Sequence, residues 1–304
     1  MTDLRSDKKS EWLLAISLGV LLFGVSLYFF LPVLNSDDDL FLMYQLSGGF
    51  GEPPSNLLHY NFGIHPWLGC LLSRLFVLEQ QVNWYSWFFG LCQFFSWVIM
   101  GRAFLFKFGK INGGLIFFLL FVLTGINGIQ SLNMTSAAWL LSIAGMVYLI
   151  VFPRSYLSVI LLLLLAASIR LQIPLLTVAL FIPIQWVMGG KFTWRPLVFL
   201  GLLLLFCFLL NLVQKRYYTS NIPGWEKAEG RRQDLFYAIN RPRDKEKNDS
   251  LIYASRVEKA FYQRLFLYAD SFPSGERIDQ IGHSLVRVRD LSQKEDRQIG
   301  RAHV

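Results

Sequence analysis

Apolar positions along this chain fall in long unbroken runs, without the alternation of a half-buried strand. Residues 12–34, 84–106, 111–129, 136–152 and 197–213 each come near the roughly 20 apolar residues that cross a bilayer at about 1.5 Å rise apiece, and each is predicted to be a membrane-spanning helix. Residues 156–188 form a run too long for one span. It is interrupted by Arg170, Gln172 and Pro174, which predicts two short helices meeting near Arg170. Residues 57–78 are apolar but hold His59, Asn61, His65, Pro66 and Arg74. That stretch fits either a span or a helix lying in the interface.

The basic residues choose between these. If residues 57–78 do not cross, then Arg5, Lys8, Lys9, Arg102, Lys107, Lys110, Arg154, Lys191 and Arg195 all fall on one side, with Arg74 and Arg170 on the other. If they do cross, Arg102, Lys107 and Lys110 move to the opposite side. The positive-inside bias favours the first arrangement. It predicts an all-α polytopic bundle of about seven spans, a cytoplasmic N-terminus and a first extracytoplasmic loop at 35–83 that contains an interfacial helix. Trp12, Tyr28, Trp84, Tyr85, Trp186 and Trp194 sit near predicted span ends, where aromatic belts form. The first run exceeds the core of a signal peptide, about 7–15 residues, and no small-residue cleavage site follows it.

Composition divides the chain in two. It is 54% hydrophobic and 16% charged, against the roughly 25% charge of a soluble domain. The charge is concentrated at the end: 18 of the 29 Lys and Arg residues lie from Lys215 onward, with 13 of the 21 acidic residues. The net charge of +8 therefore describes residues 214–298, read as an extracytoplasmic polar tail, more than the bundle at 1–213. Because the tail is acidic as well as basic and lies outside, nucleic acid is not expected as a partner. Cys70, Cys92 and Cys207 are far apart in apolar stretches, which suits packing and neither a disulfide framework nor a metal site.

Candidate chemistry begins directly after the first run. Asn35-Ser36-Asp37-Asp38-Asp39 places three adjacent carboxylates at a membrane surface. Their mutual repulsion raises some pKa values or gathers a cation. A carboxylate there can act as general base toward a hydroxyl, or Asp37 and Asp39 can hold a divalent cation. The alternative is a solvated acidic cap on the span. Gly48-Gly49-Phe50-Gly51-Glu52-Pro53-Pro54 predicts a turn. His59 and His65 are six residues apart, off the i,i+4 spacing of a shared helical face, which suits acceptor positioning better than metal ligation. Arg170 is costly in an apolar setting unless it faces a cavity or partner. With Gln172 it could bind an anionic lipid phosphate, or it could snorkel to headgroups. Arg216, beyond the last span, has the same two readings.

In order, these parts are an acidic motif after the first span, then Leu72-Ser73-Arg74-Leu75-Phe76, Asn83-Trp84-Tyr85, Ser131-Leu132-Asn133-Met134-Thr135 and Ser168-Ile169-Arg170-Leu171-Gln172. The pattern, from residue 12 to about 225, resembles the GT-C superfamily of membrane glycosyltransferases, which contains the protein mannosyltransferases and aminoarabinose transferases. The resemblance implies that Asp37, Asp38 and Asp39 supply base or metal ligand, with Asp38 favoured as base, although a third acid departs from the usual pair. It implies that Arg170 meets a lipid phosphate. It further implies a polyprenyl-phosphate-linked sugar donor, a glycan, lipid or protein acceptor, and a bacterial plasma membrane. A transporter or lipid flippase, or a non-catalytic subunit of an envelope assembly, would share the bundle.

In the tail, Val257, Ala260, Phe261, Leu265 and Tyr268 recur at helical spacing. The last six residues, 299–304, are what the string ATCGGAAGAGCACACGTC of a common sequencing adapter encodes. That predicts a natural chain continuing differently after residue 298.

Overall fold

The computed structural model describes residues 3–30, 32–34, 37–48, 54–55, 64–189 and 195–221, and for some of these, Asp37 and Asp38 among them, the backbone alone. His59 and the predicted helix around residues 257–268 lie outside them. Among the described residues ten α-helices run in order: α1 (Asp3–Phe29), α2 (Asp37–Ser47), α3 (Pro66–Leu78), α4 (Trp84–Phe108), α5 (Lys110–Leu120), α6 (Ile126–Gln130), α7 (Met134–Val151), α8 (Tyr156–Ile169), α9 (Gln172–Gly189) and α10 (Arg195–Asn221). Two-residue strands β1 (Val33–Leu34) and β2 (Ser131–Leu132) pair in parallel, Val33 with Ser131 and Leu34 with Leu132. The chain divides into two compact units, residues 1–56 with 62–215 and residues 57–61 with 216–304. Of the second, only Arg216–Asn221 at the end of α10 are described.

Four helical stretches among the described residues are long and apolar enough to cross a membrane: Lys9–Phe29, Trp84–Phe108, Lys110–Gln130 and Met134–Val151. Pro66–Leu78, Tyr156–Ile169 and Gln172–Phe181 are apolar but shorter. Large apolar side chains face outward along these helices, among them Leu13, Leu21, Leu123, Leu157 and Phe208. Such a surface requires a nonaqueous surrounding, and the chain is an integral membrane protein.

The expected elements need several corrections. The first run ends as a helix at Phe29, and Val33–Leu34 leave it to form β1. The acidic stretch, expected in a loop, opens helix α2. Three acids in a first turn are favourable there, because the helix N-terminus carries partial positive charge. Helix α3 starts at Pro66, later than residue 57, since proline fits the first helical position. Residues 111–129 are helical with one π turn, Phe121–Gly125, between α5 and α6. The break at Arg170 and a helix over residues 197–213 are as expected.

Two of the buried apolar clusters among the described residues join most of the helices. Phe23, Trp97, Phe117, Phe121 and Ala144 join α1, α4, α5 and α7. Met146, Val159, Leu163, Val178, Leu203 and Cys207 join α7 through α10. Helices α4 and α5 turn back on each other at Gly109, whose φ of +80° favours glycine. At Gly113 a Cβ would lie 2.4 Å from the Phe104 carbonyl oxygen. Small residues of this kind let membrane helices approach closely.

The bundle has two ends. At one, Trp12 of α1, Arg102 of α4, Tyr148 of α7 and Phe152, which follows α7, meet. At the other, β1 after α1 meets β2 before α7, and Asp39 of α2 meets Tyr85 at the start of α4. The end of α1 and the start of α4 therefore lie at the same end of the bundle.

Candidate functional site

Three of the expected site residues are brought to the end of the bundle where α4 and α7 begin and α8 stops. Asp39 is 1% exposed. Its Oδ1 accepts from the Tyr85 hydroxyl at 2.5 Å and from the Met134 backbone N–H at 3.0 Å. Met134 opens α7, so the carboxyl also meets the positive end of that helix. Hydrogen bonds to such a group contribute about 1.5–3 kcal/mol each. Asp39 thus fastens α2 to α4 and α7. Asp37 and Asp38 precede it in the same helical turn of the backbone.

Asn133 caps α7, its side chain accepting from Ser136 N–H at 2.6 Å. Ser136 in turn accepts from the Gln93 side-chain amide at 3.0 Å. Gln93 is fully buried, and its Oε1 has no partner. A polar file therefore descends from Asn133 into the α4–α7 interface.

His65 is built into the fold at a second point. Its backbone N–H donates to the Ser168 carbonyl at 2.7 Å, tying α3 to the last turn of α8. Its Nδ1 accepts from Trp67 N–H at 3.4 Å, capping α3. That leaves Nε2 to donate to the Leu210 carbonyl of α10, 3.1 Å away. Trp67 Nε1 donates to the Ser168 hydroxyl at 3.0 Å. Burial pushes the His65 imidazole below its ordinary value, and the Leu210 carbonyl partly offsets this. A buried, capping His65 positions backbone and presents no free ring nitrogen to a substrate.

Arg170 follows the last residue of α8 with extended backbone, φ −146° and ψ 103°. It is half-buried, and its Nε is buried with no hydrogen-bond partner. Gln172, at the start of α9, is exposed and does not join it. Arg216 is exposed and lies in the second unit. Among the described residues no group of three or more His, Cys, Asp or Glu gathers to hold a metal. With Asp39 Oδ1 committed to two protein donors, a divalent cation on Asp37 and Asp39 would have to compete for that carboxyl.

Sequence reasoning misses Gln93 and Ser136 as parts of this end. Gln93 carries a signal, being an uncharged polar residue inside an otherwise apolar span. Tyr85 stands out in the sequence as a belt aromatic and as part of Asn83-Trp84-Tyr85, and nothing local marks it as the partner of Asp39. Compared with models of protein families, with curated proteins and with solved structures, the chain matches none, so its function is argued from these residues alone.

Proposed function

We propose that this protein is a membrane glycosyltransferase of GT-C type, with about seven spans and an inside N-terminus. It moves a sugar from a polyprenyl-phosphate donor to a hydroxyl of an envelope glycan, lipid or protein on the extracytoplasmic side. The observation that carries the reading is Arg170: a guanidinium at a break between two short apolar helices, its buried Nε unpartnered, at the end of the bundle where acid-led α2 begins. A fixed cation in a poorly hydrated place stabilises charge developing on a leaving phosphate.

In the proposed step, Asp38 takes the proton of the acceptor hydroxyl. The acceptor oxygen forms a bond to the anomeric carbon as the bond from that carbon to the phosphate oxygen breaks. Polyprenyl phosphate leaves with one more negative charge, which Arg170 faces. The displacement is single and inverts the anomeric centre. Asp39 holds the turn carrying Asp38. The lipid anchor and bilayer hold the donor at the site.

Asp38→Asn is the direct test, read as transfer of labelled sugar from lipid-linked donors in membranes. Normal expression with loss of transfer is expected, and full transfer would sink the assignment. A transporter is favoured by one observation, the buried Gln93 carbonyl without a partner inside the bundle. Replacing Asp37, Asp38 and Asp39 together by Asn separates the two. Flux lost with glycan products unchanged would support the transporter.

A further inference from the structure

Arg102 belongs to no part of that site. It sits at the opposite end, 8% exposed, with its guanidinium carbon 4.3 Å from the Trp12 ring centre, 4.6 Å from Phe152 and 5.5 Å from Tyr148. One of its terminal nitrogens donates to the Tyr148 hydroxyl. Its Nε is buried and has no hydrogen-bond partner. No carboxylate of the described residues pairs with it. Glu11, the residue before Trp12, is buried too. Aromatic faces attract a cation, yet they supply neither a counter-charge nor an acceptor for the remaining donors. A guanidinium offers a planar fork that matches phosphate oxygens.

The surroundings have the same sign. Lys9 is exposed one turn before Trp12, Lys107 is exposed at the end of α4, and Arg154 is exposed in the turn after Phe152. Helices α1 and α4 and the turn after α7 thus bring cations to the rim where lipid headgroups meet the bundle. Basic pockets between membrane helices bind anionic headgroups. We propose that the Arg102 cage, rimmed by Lys9, Lys107 and Arg154, binds the phosphate of an anionic phospholipid from the adjoining leaflet.

The test uses the full chain in detergent, freed of lipid and titrated with phosphatidylglycerol or phosphatidylcholine. Bound lipid is read by native mass spectrometry. Phosphatidylglycerol is expected to bind about tenfold more tightly. Arg102→Gln should abolish that preference, while Arg74→Gln, an exposed cation on α3, should leave it intact. If Arg102→Gln fails to fold, Lys9→Gln with Arg154→Gln replaces it. Each of those exposed charges should account for about fivefold. Equal binding of the two lipids by the unaltered protein would overturn the proposal, as would a preference that survives both sets of substitutions. Displacement of the lipid by millimolar inorganic phosphate would assign the cage to soluble phosphate and overturn it too.

Discussion

Two arginines lie in the apolar bundle, and their surroundings differ. Arg102 is enclosed by three aromatic rings, from α1, α7 and the residue after α7, and bonded to the Tyr148 hydroxyl. Arg170 stands at a helix break, half-buried, with no ring or side-chain partner at its Nε. A charge taken from water must be met by something. At Arg102 the fold meets much of it, so the residue is part of the packing as well as a candidate headgroup contact. At Arg170 the fold meets less of it, which leaves the charge for something outside the chain. The same residue type therefore predicts loss of stability at one position and loss of function at the other.

The sharpest way to break this comparison is to truncate both. Arg102→Ala removes a hydrogen bond to a charged group and three cation–ring contacts, for about 3 kcal/mol in all. Its melting midpoint in detergent should fall clearly. Arg170→Ala should change stability by under about 1 kcal/mol while abolishing sugar transfer. Equal melting losses in the two variants would remove the distinction. Next in size is Gly113→Ala. Its Cβ would meet the Phe104 carbonyl oxygen at 2.4 Å, forcing α5 away from α4. Overpacking of this kind costs about 1–3 kcal/mol. Since Phe104 is two residues from Arg102, the loss should appear together with weaker headgroup binding. An unchanged midpoint would show that the close approach is not needed.

How much of this is legible in the sequence follows from what each feature depends on. Four long apolar helices are legible because bilayer thickness fixes the length of a span and leaves apolar runs in the sequence. The break at Arg170 is legible because charge and Pro174 interrupt such a run. Helix α2 is harder, although three acids in a first turn are a helix-start signal. Read as chemistry, the same acids suggest a loop. The contacts of Asp39 cannot be read, since its partners are 46 and 95 residues away. Arg102 reads only as an inside charge, because Trp12, Tyr148 and Phe152 meet it only after α1 and α7 pack on α4. Pairs distant in sequence leave no local trace.

Asp39 offers a second comparison, between an acid engaged by the fold and its neighbours in the same turn. Tyr85→Phe removes one donor from Asp39 Oδ1 and leaves a buried carboxyl atom with one bond fewer. The loss should be about 1–2 kcal/mol of stability, with transfer lowered but present. Asp38→Asn should do the reverse, keeping stability and losing transfer. If Tyr85→Phe abolished transfer at unchanged stability, Asp39 would act on the substrate directly, and its role as a fastening for α2 would fall.

The smallest effect is one of pH, at the second fastening. Folding buries His65 and lowers its pKa below the ordinary 6.5, mainly by desolvation. The unfolded chain therefore takes up a proton at a higher pH than the folded one. Above that ordinary value neither state is protonated, and the stability due to His65 is fully present. As pH falls below it, the unfolded state gains protons first and stability declines, until the folded-state pKa is reached and the slope ends. His65→Asn can still cap α3 but cannot titrate. It should melt lower than the unaltered protein near pH 7, having lost the bond to Leu210, and the gap should narrow as pH is brought toward about 5. A gap that stays constant across that range would mean that His65 keeps its ordinary pKa, and that the crossing of α3, α8 and α10 is less closed to water than its burial indicates.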